Sequence, residues 1–92
     1  RNTQKSLWQM DVDLYLGYSK IDDSNLKQIS NFKNIKSLTV NGSSISDESI
    51  ETFIKIPHLE YLDITNTKIT DDGIRYITSN FSDQLTLHHI DF

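Results

Sequence analysis

The chain has 92 residues, which is enough for one domain with a single small core. It contains no cysteine, so a disulfide framework, a thiolate nucleophile and a cysteine-type zinc site are excluded. Nine Lys and Arg stand against thirteen Asp and Glu, a net charge of −4, and this balance argues against general nucleic-acid binding, which needs clustered basic side chains.

The acidic excess lies in the second half of the chain, because residues 47–92 carry nine of the thirteen acidic side chains. Such a surface is usually just solvated, and it favours a basic partner only weakly. No apolar run approaches the roughly 20 residues that a membrane span needs, so no membrane partner is expected.

The first clear pattern along the chain is an alternation of apolar and mostly polar residues. Trp8, Met10, Val12, Leu14 and Leu16 are separated by mostly polar residues, which predicts a strand. This strand is longer than the units that follow require. We expect residues 1–13 to form an N-terminal strand and cap, with Trp8 and Met10 covering the open face of the first unit.

From Leu14 onward the apolar residues recur every 24 residues, and this repeat is the strongest signal in the sequence. The first two copies match at seven positions: Leu14, Leu16, Ile21, Leu26, Ile29, Phe32 and Ile35, then Leu38, Val40, Ile45, Ile50, Phe53, Ile56 and Leu59. The third copy keeps Leu62, Ile64, Ile69, Ile74 and Ile77. Its later apolar positions are displaced, which predicts an insertion of one or two residues before its return strand.

Two spacings occur within each unit. Pairs such as Leu38 and Val40 alternate with polar residues and predict a short strand, whereas Leu26, Ile29 and Phe32 fall three apart and predict a helix with one apolar stripe. The whole chain is therefore interpreted as one repeat domain over residues 1–92, with repeats at 14–37, 38–61 and 62–86 and a terminal strand at 87–92.

Short oxygen-bearing side chains stand between each strand and its helix. Asp23, Asp47 and Asp71 are 24 residues apart, and we expect each to cap the helix that begins beside it. Stacked carboxylates of this kind also raise the alternative of a calcium-binding module. At another repeated position, Ser19, Ser43 and Thr67 are expected to form a ladder of hydroxyls that bond backbone groups where the chain leaves each strand.

These units resemble the leucine-rich repeat family, most clearly where Leu59-Glu60-Tyr61-Leu62-Asp63-Ile64 leads into Ile69-Thr70-Asp71-Asp72-Gly73-Ile74. The turn is similar to that in F-box receptor, bacterial and coupling factor B-like repeats. The resemblance implies an α/β fold, a short solenoid with parallel strands on the concave face and helices on the convex face. It implies no particular activity, because one fold hosts many functions.

No combination of residues predicts catalysis or a cofactor, and the histidines do not predict a metal centre. Ser and Thr are plentiful, but no phosphate-binding loop, nucleophile elbow or paired-carboxylate motif surrounds them. His88 and His89 are consecutive on a predicted strand, so they point to opposite faces and do not converge on one metal ion. We expect a protein that is not an enzyme.

The best candidates for binding are the residues that alternate with the inward-pointing leucines on the strands. Tyr15 and Tyr61 are rigid and amphipathic, as interface anchors usually are, and small residues lie between them. The candidate partner-binding residues are Asp13, Tyr15, Ser37, Thr39, Asn41, Tyr61, Asp63 and Thr65.

Three functions remain open from the sequence. The leading hypothesis is a protein-protein interaction module that binds an unidentified protein through the concave strands. A second is a structural subunit or fragment of a larger assembly, for example a mitochondrial complex, that packs through its exposed solenoid ends. The third is the cation-binding module suggested by the repeated aspartates.

Overall fold

The computed structural model describes residues 11–32, 34–81 and 89–92. Its strands are β1 Val12–Tyr15, β2 Ile35–Thr39, β3 Tyr61–Asp63 and β4 His89–Asp91. Its α-helices are α1 Asp23–Leu26, α2 Ile50–Ile54 and α3 Asp71–Phe81, with 3-10 turns at Lys27–Asn31 and Asp47–Ser49. The described residues thus form a small α/β protein, as predicted, and the predicted cap residues Trp8 and Met10 lie outside them.

The four strands form one parallel sheet in the order β1-β2-β3-β4, so each strand pairs with the next one along the chain. Leu14 aligns with Leu38, Leu38 with Leu62, and Leu62 with Ile90. The first two steps are 24 residues, but the third is 28. The predicted insertion of one or two residues in the third unit was therefore too short, because the sheet register requires four.

The core lies between the sheet and the helices, and it is deepest in the middle unit. All seven of its predicted apolar residues are buried: Leu38, Val40, Ile45, Ile50, Phe53, Ile56 and Leu59. Leu14, Leu16 and Ile21 in the first unit, and Ile69 and Ile74 in the third, are only half-buried. The middle unit packs against a unit on each side, whereas each outer unit has one such neighbour among the described residues.

Phe32 departs from the predicted core. It corresponds to the buried Ile56, yet 57% of its surface is exposed. The chain at Phe32 follows the 3-10 turn and is already extended, with φ −87° and ψ 123°. Ile56 belongs to the middle unit, which has a unit on each side, while only one described unit flanks Phe32, so the same position in the repeat has less to pack against.

The turn after each strand uses two repeated devices. The hydroxyls of Ser19, Ser43 and Thr67 donate to the carbonyl oxygen three residues earlier, at 2.7, 2.7 and 2.8 Å, which confirms the predicted ladder. One residue before each of them the backbone has a positive φ, at Tyr18 (54°), Gly42 (69°) and Asn66 (55°). Glycine and asparagine suit this left-handed conformation, and a tyrosine there is uncommon.

Candidate functional site

The eight candidate residues lie on adjacent strands or two residues after their ends, and none is fully buried. We call this set, with Asp91, the outer sheet face. Within it, Asp13 aligns with Ser37 and Ser37 with Tyr61, while Tyr15 aligns with Thr39 and Thr39 with Asp63. Leu38 and Leu62, which alternate with these residues, are buried in the core. The outer sheet face is therefore the side of the sheet away from the core.

Two tyrosines dominate the outer sheet face. Tyr15 on β1 is 72% exposed and Tyr61 on β3 is 44% exposed. Ser37 and Thr39 on the strand between them have small side chains, so the two aromatic rings project further from the sheet than the residues between them. Aromatic side chains with this exposure offer a large contact area at little cost in conformational entropy.

Asn41 and Thr65 continue the outer sheet face into the turns. The amide N–H of Tyr18 donates to the carbonyl of Asn41 at 2.7 Å, and that of Gly42 donates to Thr65 at 2.9 Å, so the parallel pairing extends past the strands. The Asn41 side chain lies over Gly17, where a Cβ atom would come within 2.1 Å of Asn41 Oδ1. Close packing therefore holds this end of the face in place.

The Tyr18 ring, which was not among the predicted binding residues, packs in the same turn region. It lies against Gly42, where an added Cβ would be 2.5 Å from Tyr18 Cδ1, and 75% of the residue is exposed. Tyr18 lies 24 residues before Gly42 and 48 before Asn66, so the repeat places it at the left-handed position of its turn. That spacing could have identified Tyr18 as a residue held in a fixed direction.

Asp91 is a second residue that the sequence analysis did not place on this surface. It aligns with Asp63 on the neighbouring strand, and it is exposed. The Asp63 carboxylate accepts from the N–H and the hydroxyl of Thr65, at 3.0 and 2.8 Å. The position of Asp91 depended on an insertion of four residues, whereas the displaced apolar pattern predicted one or two.

The predicted capping role of Asp23, Asp47 and Asp71 is wrong. The cap of α1 is Asp22, whose carboxylate accepts from Asn25 N at 2.9 Å, and the cap of the 3-10 turn before α2 is Ser46. Thr70 takes this place before α3, since its hydroxyl accepts from Gly73 N at 3.2 Å. The start signals were correctly located, but the capping side chain is one residue earlier.

Asp23 and Asp47 instead join one unit to the next. Asp23 accepts from Ser46 N at 2.8 Å and from Ser46 Oγ at 2.6 Å, and Asp47 accepts from Thr70 N and Thr70 Oγ1 at the same distances. Ser49, which is fully buried, also donates to Asp23. These carboxylates therefore stabilise the stacking of units, and N–H and hydroxyl donors occupy the oxygens that a cation would need.

The electrostatics of Asp23 reflect this arrangement. Burial alone raises the pKa of its carboxyl, but the hydrogen bonds from the Ser46 and Ser49 side chains and the Ser46 backbone, together with the charge of Lys27, outweigh that effect. The pKa of Asp23 is consequently lower than its ordinary value, since these donors favour the ionised form.

Metal binding finds no support in the part of the chain that the structure describes. No three His, Cys, Asp or Glu side chains among those residues are grouped so that they could hold a metal ion. The predicted opposition of His88 and His89 concerns side chains outside the described set. Within the same described ranges, no helix is both long enough and apolar enough to cross a membrane.

The third unit contains the sequence motif that carries the family resemblance. Its structure has a buried Leu62, a residue of the hydroxyl ladder, a threonine cap and a helix. Residues 55–77 match the family model described as Leucine Rich repeat. The predicted resemblance to leucine-rich repeats is confirmed over this segment. Leucine-rich repeats generally suggest protein-interaction modules and are typically non-enzymatic. No curated protein and no solved structure matches the chain.

Proposed function

We propose that this chain is a non-catalytic protein-interaction module, and that its outer sheet face binds a segment of another protein. The observation that carries the proposal is the pair Tyr15 and Tyr61, both exposed on strands that flank the small residues of β2. Tyrosines are enriched among the residues that contribute most to protein binding, especially where neighbouring groups can exclude water.

The architecture that we propose for this function is a short leucine-rich-repeat solenoid. In it, residues 1–92 form one domain with a cap at 1–13, repeats at 14–37, 38–61 and 62–86, and a terminal strand at 87–92. The outer sheet face is then the concave side, and the helices form the convex side. Support comes from the sequential order of the parallel strands and from the leucine-rich repeat match at residues 55–77.

Affinity purification followed by mass spectrometry tests this function, with the double variant Tyr15→Ala/Tyr61→Ala compared with the unchanged chain. We expect the double variant to lose most of its specific partners, because truncation of a central aromatic anchor commonly costs at least about 2 kcal/mol, more than tenfold in affinity. Tyr76→Ala is the matched control, since Tyr76 is 48% exposed but lies on α3. Equal capture by both variants would contradict the proposal.

A structural subunit packed through its ends remains the second candidate, favoured by the half-buried Leu14, Leu16 and Ile21 of the first unit. This function predicts that the residues at the ends of the stack, and not the tyrosines, contact the neighbours. Unchanged capture by Tyr15→Ala/Tyr61→Ala, combined with cross-links from the first unit to a neighbouring subunit, would favour it over the leading proposal.

A further inference from the structure

Each tyrosine of the outer sheet face has a carboxylate beside it on the same strand. Asp13 is two residues before Tyr15 on β1, and Asp63 is two residues after Tyr61 on β3. Residues two apart on a strand share a face and lie about 7 Å from each other. The face therefore repeats one arrangement, an aromatic ring with a carboxylate next to it, on two strands that have β2 between them.

The charge on the described strands is mostly negative. Asp91 aligns with Asp63 on the neighbouring strand and adds a third carboxylate to the described strands. Lys36, between the buried Ile35 and Ser37 on β2, is the one Lys or Arg on the described strands, and the three carboxylates outnumber it. A cation placed near Asp13 or Asp63 is therefore attracted, whereas an anion is repelled.

We infer that the partner presents a cationic segment, with Arg or Lys side chains that contact the tyrosine rings and the adjacent carboxylates. This inference rests on the proposed function and adds the chemistry of the partner. A guanidinium group can lie over a tyrosine ring while it donates hydrogen bonds to a carboxylate, which combines two attractions in one side chain. The face thus favours arginine over any uncharged anchor.

The distance between the two arrangements also suggests a spacing for the partner. Two strand separations place β1 and β3 about 10 Å apart, and Tyr15 and Tyr61 are also offset by two residues, about 7 Å, along the strands, so the two positions lie about 12 Å from each other. In a polyproline II segment, residues three apart point to the same side and are separated by about 9 Å. The arginine side chains are long enough to cover the remaining distance of about 3 Å, so a segment with arginines at positions i and i+3 can reach both tyrosines.

Fluorescence anisotropy with two labelled peptides tests the inference on the full chain. One peptide contains Arg-Pro-Pro-Arg, and the other contains Glu-Pro-Pro-Glu in the same flanking sequence. We expect the arginine peptide to bind, and to bind more weakly as salt is raised, while the glutamate peptide does not bind. Absence of binding by the arginine peptide, or equal binding by both, would overturn the inference.

Two double variants with the same change in net charge separate a specific site from general attraction. Asp13→Asn/Asp63→Asn neutralises the outer sheet face, and the Asn amide oxygen at position 63 can still accept from Thr65. Glu48→Gln/Asp71→Asn neutralises two exposed carboxylates in the first turns before α2 and in α3. We expect the first variant to weaken arginine-peptide binding about tenfold and the second less than about twofold, because exposed pairs act mainly at short range.

Equal weakening by the two variants would show attraction by net charge alone and would overturn the inference. The proposed function fails by a different result, namely unchanged partner capture by Tyr15→Ala/Tyr61→Ala. If the tyrosine variant loses its partners while the charge variants do not differ, the outer sheet face binds a protein but the partner segment is not cationic.

Discussion

The carboxylate of Asp47 accepts both the backbone N–H and the side-chain hydroxyl of Thr70, at 2.8 and 2.6 Å. Asp23 holds Ser46 in the same way one unit earlier. Each contact links the start of one helix to the start of the next. The units are therefore joined by charge-assisted hydrogen bonds at one edge, in addition to the apolar core between sheet and helices.

Loss of such a link should destabilise the stack. We expect Asp23→Ala to lower the free energy of unfolding by about 2 kcal/mol, because it leaves Ser46 N and the buried Ser49 hydroxyl without their acceptor. Asp47→Ala should cost less, since Thr70 is exposed and water can replace the carboxylate. Urea denaturation followed by circular dichroism measures both.

Asp71→Ala is the matched control, because Asp71 has the same place in its unit and begins α3. In the described part of the chain no hydrogen bond joins Asp71 to a later unit. We expect its replacement to cost less than about 1 kcal/mol, the usual value of a carboxylate at a helix start. Equal losses for Asp23→Ala and Asp71→Ala would mean that the inter-unit hydrogen bonds add nothing to stability.

The stabilising effect of Asp23 should depend on pH. The pKa of its carboxyl is lower in the folded protein than the ordinary value of 3.8, so the unfolded chain binds more protons. The stabilisation is therefore complete above the unfolded pKa and is lost as the pH falls through the folded pKa. The difference in unfolding free energy between the unchanged chain and Asp23→Asn should shrink between about pH 5 and about pH 3. A difference that stays constant over this range would contradict the assigned role.

Gly42 should tolerate no side chain. Its φ of 69° is unfavourable for other residues, and a Cβ would be 2.5 Å from the Tyr18 ring. We expect Gly42→Ala to destabilise the protein by about 2 to 3 kcal/mol, the sum of a left-handed backbone and a displaced ring. In a Tyr18→Ala background only the backbone cost of about 1 kcal/mol should remain. Thermal unfolding of the four proteins measures this coupling, and strict additivity would argue against contact between ring and glycine.

The hydroxyl ladder should matter most where it is buried. Ser43 is 7% exposed and donates to the Val40 carbonyl at 2.7 Å, while Ser19 makes the equivalent bond in a half-buried site. We expect Ser43→Ala to cost about 1 to 2 kcal/mol and Ser19→Ala about half as much, because water can reach the Leu16 carbonyl more readily. Chemical denaturation of the two variants provides the comparison, and a larger loss for Ser19→Ala would contradict the explanation.

The sequence predicted well those features that depend on residues close to each other along the chain. The hydroxyls of Ser19, Ser43 and Thr67 bond a carbonyl only three residues away, so the repeated position was sufficient to predict the ladder. The helix starts were located for the same reason. Asp23 and Asp47 were misassigned because their partners are 23 residues away, and only the stacking of units brings them together.

The exposed tyrosines of the outer sheet face follow from strand alternation, a local rule that sequence reasoning can apply. The neighbour of Asp63 did not follow, because the alignment with Asp91 depends on how many residues the third unit inserts before β4. Phe32 shows the same limit, since its apolar character predicted burial while the number of flanking units decided its exposure.

By itself, then, the sequence determined the 24-residue period, the strand and helix positions within it and the buried residues of the middle unit. It could do so because the middle unit packs against a similar unit on each side, so each repeated position requires the same type of side chain. Only the tertiary structure decided how the units connect, which outer residues stay exposed and which charges meet on the sheet. These properties arise between units, where contacts form through space and not through the spacing of residues along the chain.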